Sequence, residues 1–145
     1  MTTPSYPQTR YSPAQLVNLT SKDERARLSS SALKGFFRLA IRWHLRDDDA
    51  KQLLGGVTNG PYYKMKKHPD HRVLDADTLM RISYLLGIFQ ALNQLHSQPL
   101  ADEWISLPNS NRIFAGSTPL GYMVRGGVPA MSTVRRLLDA RQAGL

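Results

Sequence analysis

The stretch VTNGPYYKMKKHP, residues 57–69, gathers hydroxyl, amide, phenol and amine side chains in one short segment. Those groups suit contact with a polyanion. Lys64, Lys66, Lys67 and the later Arg72 are candidates for phosphate oxygens. Thr58 and Asn59 stand where a short helix would begin, and an Asn carboxamide there can pair with an adenine edge. Tyr62 and Tyr63 complete the set of nucleic-acid candidates. For the lysines the alternative reading is a solvated helix face. Other chemistry finds less support. His68, Asp70 and His71 lie close in HPDHR, but no third ligand has plausible spacing. DDDAK lacks the spaced oxygens of a calcium loop. LGGVTNG lacks the Gly-Lys-Ser/Thr of a phosphate loop. No nucleophile pairs with a base. The expectation is no catalytic residue, no metal and no cofactor.

Helices must position these residues. SPAQ places a cap at Ser12, Pro13 in a first turn, and a short helix through about Leu19. SKDE repeats the capping pattern at Ser21. From Ser31, the residues Leu33, Phe36, Phe37, Ala40, Ile41 and Leu45 recur at helical spacing. Asp47 is expected to cap a helix from about Asp48 to Leu54, which Gly55 and Gly56 end. A second short helix spans about Asn59 to Lys67, and Pro69 forbids its continuation. Asp75 caps a long helix with an apolar stripe at Leu79, Ile82, Leu86, Phe89 and Leu92. LADEWI is a short helix. Two more follow, one capped by Ser117 or Thr118 with Pro119 at its first position and stopping at Gly126, the next starting at Val128-Pro129. No alternation of period two is long enough for a strand. The fold class is all-α. Two short helices on a glycine turn, flanked by longer ones, are the layout of a helix-turn-helix domain.

Composition agrees with a polyanionic partner. The 145 residues carry 19 Lys+Arg against 11 Asp+Glu, and the excess is spread along the chain rather than held in a basic tail. Solubility is the other use of such a charge. Cysteine is absent, which excludes a disulfide scaffold and any thiolate site. MTTPSYPQTRYSP has no apolar run of the kind a secretion signal needs, and no segment approaches a membrane span. A cytoplasmic protein without membrane contact is expected. Four phosphate contacts per protomer in a dimer would give a slope of log K against log salt of about −7. The amphipathic helices of residues 12–45 are where such a dimer is expected to form.

The segment WISLPNSNRIFAGSTPLGYMVRGG resembles the C-terminal domain of the Xre/MbcA/ParS family of antitoxins. The matching residues are Trp104, Pro108-Asn109, Phe114, Gly116-Ser117, Pro119-Leu120 and Gly126, with VRRLLDARQAGL similar to the terminal helix. The resemblance covers about residues 35 to 145, the Xre-like helix-turn-helix included. Residues 1–30, which have no clear counterpart in it, read from their own composition as a tail with short helices; it implies a DNA-binding domain over 31–97 and a toxin-binding domain over 98–145. It also implies a type II antitoxin: a partner toxin with a RES domain that consumes NAD, blocked through the C-terminal domain, and an operator in double-stranded DNA that the pair represses. A homodimer within a hetero-oligomeric complex is expected. The Leu145 carboxylate or Asp139 is then a candidate anion for the cationic NAD site, with Arg135, Arg136 and Arg141 against acids at its rim. The alternative for these residues is a solvated face and a frayed end. For the whole chain the alternative is a stand-alone regulator whose C-terminal domain dimerises or senses a ligand.

Overall fold

The computed structural model describes residues 18–144. The cap expected at Ser12 and the carboxylate of Leu145 lie outside the described residues. Asn18 to Thr20 form a turn ahead of the first helix.

α1 runs Lys22–Arg42, with the Ser21 hydroxyl accepting from the Glu24 amide. It is continuous through residue 30, so the serines at 29–31 lie within a helix rather than before one. Ser29 is fully buried. Its hydroxyl donates to the Arg25 carbonyl and accepts from the Leu74 amide at 2.9 Å, which ties α1 to the segment ahead of the long helix. The buried stripe of α1 is Leu33, Phe36 and Leu39, continued by Trp43. Ile41, expected inside, is 73% exposed. Leu39 and Trp43 already fill the space between α1 and its neighbours, and the helical turn places Ile41 opposite them.

α2 spans Asp47–Leu53 and α3 spans Asn59–Lys67. Asp47 is not the cap. Arg46 holds that position without a side-chain bond, because the Asp47 carboxylate is taken by two phenols of α3. Gly55 and Gly56, at φ 108° and 83°, turn the chain between the two helices. A 3-10 turn at Pro69–His71 follows α3.

α4, Ala76–Leu95, starts at an Asp75 cap that accepts from the Thr78 amide. It is the centre of the molecule. Leu79, Ile82, Leu85, Ile88 and Leu92 are buried. α1 lies on one flank, with Gly35 close against Leu86. The C-terminal helix lies on the other, where Gly87 leaves room for Arg135. After Pro99 come α5, Leu100–Glu103, and a 3-10 turn at Trp104–Ser106. α6, Pro119–Gln142, is two helical halves that abut at Gly127, whose φ of 66° and ψ of −146° leave the helical region. The halves expected from the sequence are both present, separated by one residue. Pro129 falls in the first turn of the second half, where its missing N–H costs nothing.

One hydrophobic cluster runs from Leu33 through α2, α3 and α4 to Leu138. The buried side chains of residues 98–138 join it. Among the described residues the structure is all-α, and no helix is long and apolar enough to cross a membrane.

Candidate functional site

α3 presents two faces of different character. Tyr62 and Met65 point into the core. Gly60, Tyr63, Lys64 and Lys67 share the opposite, exposed face at helical spacing. Among the described residues neither Lys64 nor Lys67 pairs with an acid. Tyr62 does not belong to this face. It is 2% exposed, and its phenol donates to Asp47 Oδ1 at 2.8 Å. That residue is therefore withdrawn from the nucleic-acid candidates, because its ring is core and its hydroxyl is already used.

Asp47 organises the base of α3. Tyr63 donates to its other oxygen at 3.1 Å, and Lys66 Nζ lies 3.6 Å from Oδ1. The Tyr62 hydrogen bond, followed by the Tyr63 bond and the Lys66 charge, holds the Asp47 carboxyl below the usual carboxylate range. The Tyr62 phenol is pushed up, first by its burial and then by that carboxylate. Lys66 thus has an acidic partner, while Lys64 and Lys67 have none among the described residues. Asn59, placed by its sequence at a base edge, has its side-chain carbonyl occupied by Lys51 Nζ. Only its amide NH₂ is left for an outside acceptor. Thr58 is the N-cap of α3, and its hydroxyl makes no capping bond. Arg72 is half-buried beyond the 3-10 turn.

The triad of aspartates at the start of α2 is matched by cations. Asp48 faces Lys51 at 3.3 Å and Asp49 faces Arg46 at 3.5 Å. Asp48, Asp49 and Lys51, with Gln52, Val57, Thr58 and Asn59, line an open hollow that has no apolar enclosure for a small molecule. Among the described residues no three metal-ligating side chains converge.

The C-terminal motif assembles into one feature. Trp104 packs edge-on against Phe114 at 6.2 Å, and Phe114 against Tyr122 at 5.3 Å. Asn109 accepts from the Asn111 amide, and Asn111 from the Ile113 amide. Ala115 and Gly116 are left-handed, which reverses the chain. Thr118 then caps α6 by accepting from Gly121 at 3.0 Å, with Pro119 behind it. Arg125 reaches back to the Ser117 hydroxyl at 3.0 Å.

The expected partner-contacting residues divide in two. Arg135 and Asp139 pair with each other at 3.0 Å, and the Arg135 guanidinium lies on Gly87. Arg136 and Arg141 are exposed and make no ion pair among the described residues. Gln142 hydrogen-bonds Gln94, so the end of α6 rests on α4. Local sequence carries no sign of the Asp47 acceptor or of the Ser29 bridge. A buried phenol paired with an aspartate fifteen residues earlier is a tertiary fact, which spacing does not encode.

No family model and no solved structure matches the chain. It is 40% identical over 113 residues to "Uncharacterized protein y4oB" of Sinorhizobium fredii (strain NBRC 101917 / NGR234), a match that covers 77% of this chain and 84% of that protein.

Proposed function

The chain belongs to one family with the y4oB protein of Sinorhizobium fredii, and from its geometry we propose that it is an antitoxin of a type II toxin–antitoxin pair. In this reading α2, the glycine turn and α3 form a helix-turn-helix. Gly60, Tyr63, Lys64 and Lys67 face the groove and its phosphates. The C-terminal region binds and blocks a RES-domain toxin that consumes NAD, and the complex represses its own promoter. The protein acts from the cytoplasm, as a homodimer within the larger complex.

The observation that carries the antitoxin reading is the assembly of the motif residues. Trp104 packs on Phe114 across the intervening loop, and Gly116 and Pro119, with the Thr118 cap between them, complete one packed turn that delivers α6. Arg136 and Arg141 then project from α6 as cations available to acidic groups of a partner. Arg135 and Asp139 are positioning residues here, since each satisfies the other. The end of α6 is held on α4 by Gln142, so a plug would consist of the few residues that follow.

The test is cellular NAD after induction of the neighbouring reading frame, with the chain absent, whole, or lacking residues 141–145. NAD is expected to fall in its absence and to recover with the whole chain. Protection by the truncated chain would move inhibition elsewhere on α6. NAD that never falls would favour a stand-alone regulator. That second reading draws on one observation: Arg135 and Asp139, the best-placed charges on α6, are spent within the chain.

A further inference from the structure

We infer that His68 and His71 form a proton-linked contact for the phosphate backbone of duplex DNA, at the C-terminal end of the outer face of α3. This rests on the nucleic-acid reading of α3 and adds to it a site and a dependence on pH.

The geometry comes first. His68 closes α3, and Pro69 turns the chain into the 3-10 segment that ends at His71. The two rings lie face to face, with centroids 5.3 Å apart and planes 7° from parallel. Both are exposed. The turn beneath them is fixed. Asp70 accepts from Ser30 and pairs with Lys34 at 3.0 Å, both on α1. The imidazoles are therefore held at the end of a cationic helix face rather than carried on a loose loop. The ends of recognition helices and the segments beside them are where phosphate contacts concentrate in domains of this layout.

The charges explain the linkage. Around the pair stand Asp70 on the same turn, Lys34 on α1, Lys64 and Lys67 on α3, and Arg72 just beyond. Asp70 is committed to Ser30 and Lys34. The remaining field is positive. A phosphodiester laid along α3 reverses the sign of that field. Each imidazole is then stabilised by taking a proton from solvent, and each protonated ring offers N–H donors to phosphate oxygens. No covalent bond forms or breaks. Binding takes up as many as two protons, so affinity must rise as pH falls. A metal ion held by the same two rings would need them neutral, and its binding would strengthen as pH rises.

The operator is unidentified, so the probe is a fluorescein-labelled duplex of mixed sequence, sensed through its phosphates. Anisotropy titrations of the full chain at fixed ionic strength would be run at about pH 8 and about pH 6, which bracket imidazole titration. Binding is expected to tighten by about tenfold at the lower pH, equivalent to one pKa unit of linkage. The double variant His68→Gln, His71→Gln should lose the tightening between the two pH values, whatever its affinity at the higher one. His44→Asn, at an exposed imidazole elsewhere, should keep it. A second measurement needs no variant: the salt slope of the wild type should steepen at the lower pH by about 0.9 for each additional phosphate neutralised.

Equal affinity and equal salt slope at both pH values would overturn the inference and leave the nucleic-acid reading standing. So would a double variant that keeps the full tightening, or binding that strengthens with rising pH and disappears with a chelator. A wild-type chain that binds no duplex at either pH would remove the nucleic-acid reading, and this site with it.

Discussion

Gly60 is a helical glycine that the fold does not require. It sits in the first turn of α3, and a Cβ added there would meet nothing within 4 Å. A glycine inside a helix costs about 1 kcal/mol relative to alanine. The missing methyl leaves the backbone of this turn open to close approach, and in the proposed reading the phosphate backbone of DNA makes that approach. Gly60→Ala should therefore raise stability by about 0.5 kcal/mol or more in a thermal melt, yet weaken duplex binding in the anisotropy assay. An alanine variant that melts higher and binds equally well would place the DNA elsewhere. Asp47, Asp70 and Asp75 set the acid limit at the same scale, Asp70 held low first by the Ser30 hydroxyl and then by Lys34. Asp47 is held low first by the Tyr62 phenol, and Asp75 first by the Thr78 amide. With folded-state values depressed below the unfolded value of about 3.9, their stabilisation is present above that pH and is lost as pH falls through the folded values. The urea midpoint should be flat from about pH 7 to pH 5 and fall below about pH 4. Asp75→Asn, which keeps a capping oxygen, should shrink that fall.

Helix ends are written into the chain more plainly than helix faces. Ser21, Asp75 and Thr118-Pro119 each cap as their residue types demand, because a capping bond is local. The face of α1 is not legible in the same way. Phe36, Phe37, Leu39, Ala40, Ile41 and Trp43 are apolar almost without interruption, so spacing alone does not choose the buried stripe. Packing against α4 selects Leu39 and Trp43 over Ile41. The serines at 29–31 read as a start, since a buried hydroxyl bridging to the Leu74 amide leaves no pattern in neighbouring residues. In α6 the pair Gly126-Gly127 marks the break, and the backbone puts it on Gly127. That conformation belongs to glycine almost alone. Gly127→Ala should cost about 1–3 kcal/mol, read as a lower melting temperature. A variant with unchanged stability would mean that the two halves of α6 straighten without penalty.

Across the whole molecule, the charged surface of α3 and the end of α6 share one interior. The core cluster passes from Leu33 to Leu138 without a gap. Trp43 lies in the α1 part of it and Trp104 in the C-terminal part. Unfolding should accordingly be one cooperative transition. Fluorescence of Trp43-only and Trp104-only variants (each made by replacing the other Trp with Phe) should report midpoints that coincide with circular dichroism. Two separated midpoints would show that the C-terminal region melts by itself. Charge and capping foretell the character of the surfaces, but not that they share a core, because each helix is locally consistent with either arrangement. Arg81 makes the union closer still. Its side chain pairs with Asp77 and passes beside both Gly55, in the turn between α2 and α3, and Gly127, in the break of α6.

The position of α4 limits how such a chain can change over generations. A recombination joint placed between α3 and α6 would bring together an α4 and an α6 with separate histories. A methyl at position 87 opposite an inherited Arg135 would displace its guanidinium from the seat where it pairs with Asp139. Lineages of this family should therefore diversify their partners by substitution on the outer faces of α3 and α6, and pass the helical scaffold down as a unit.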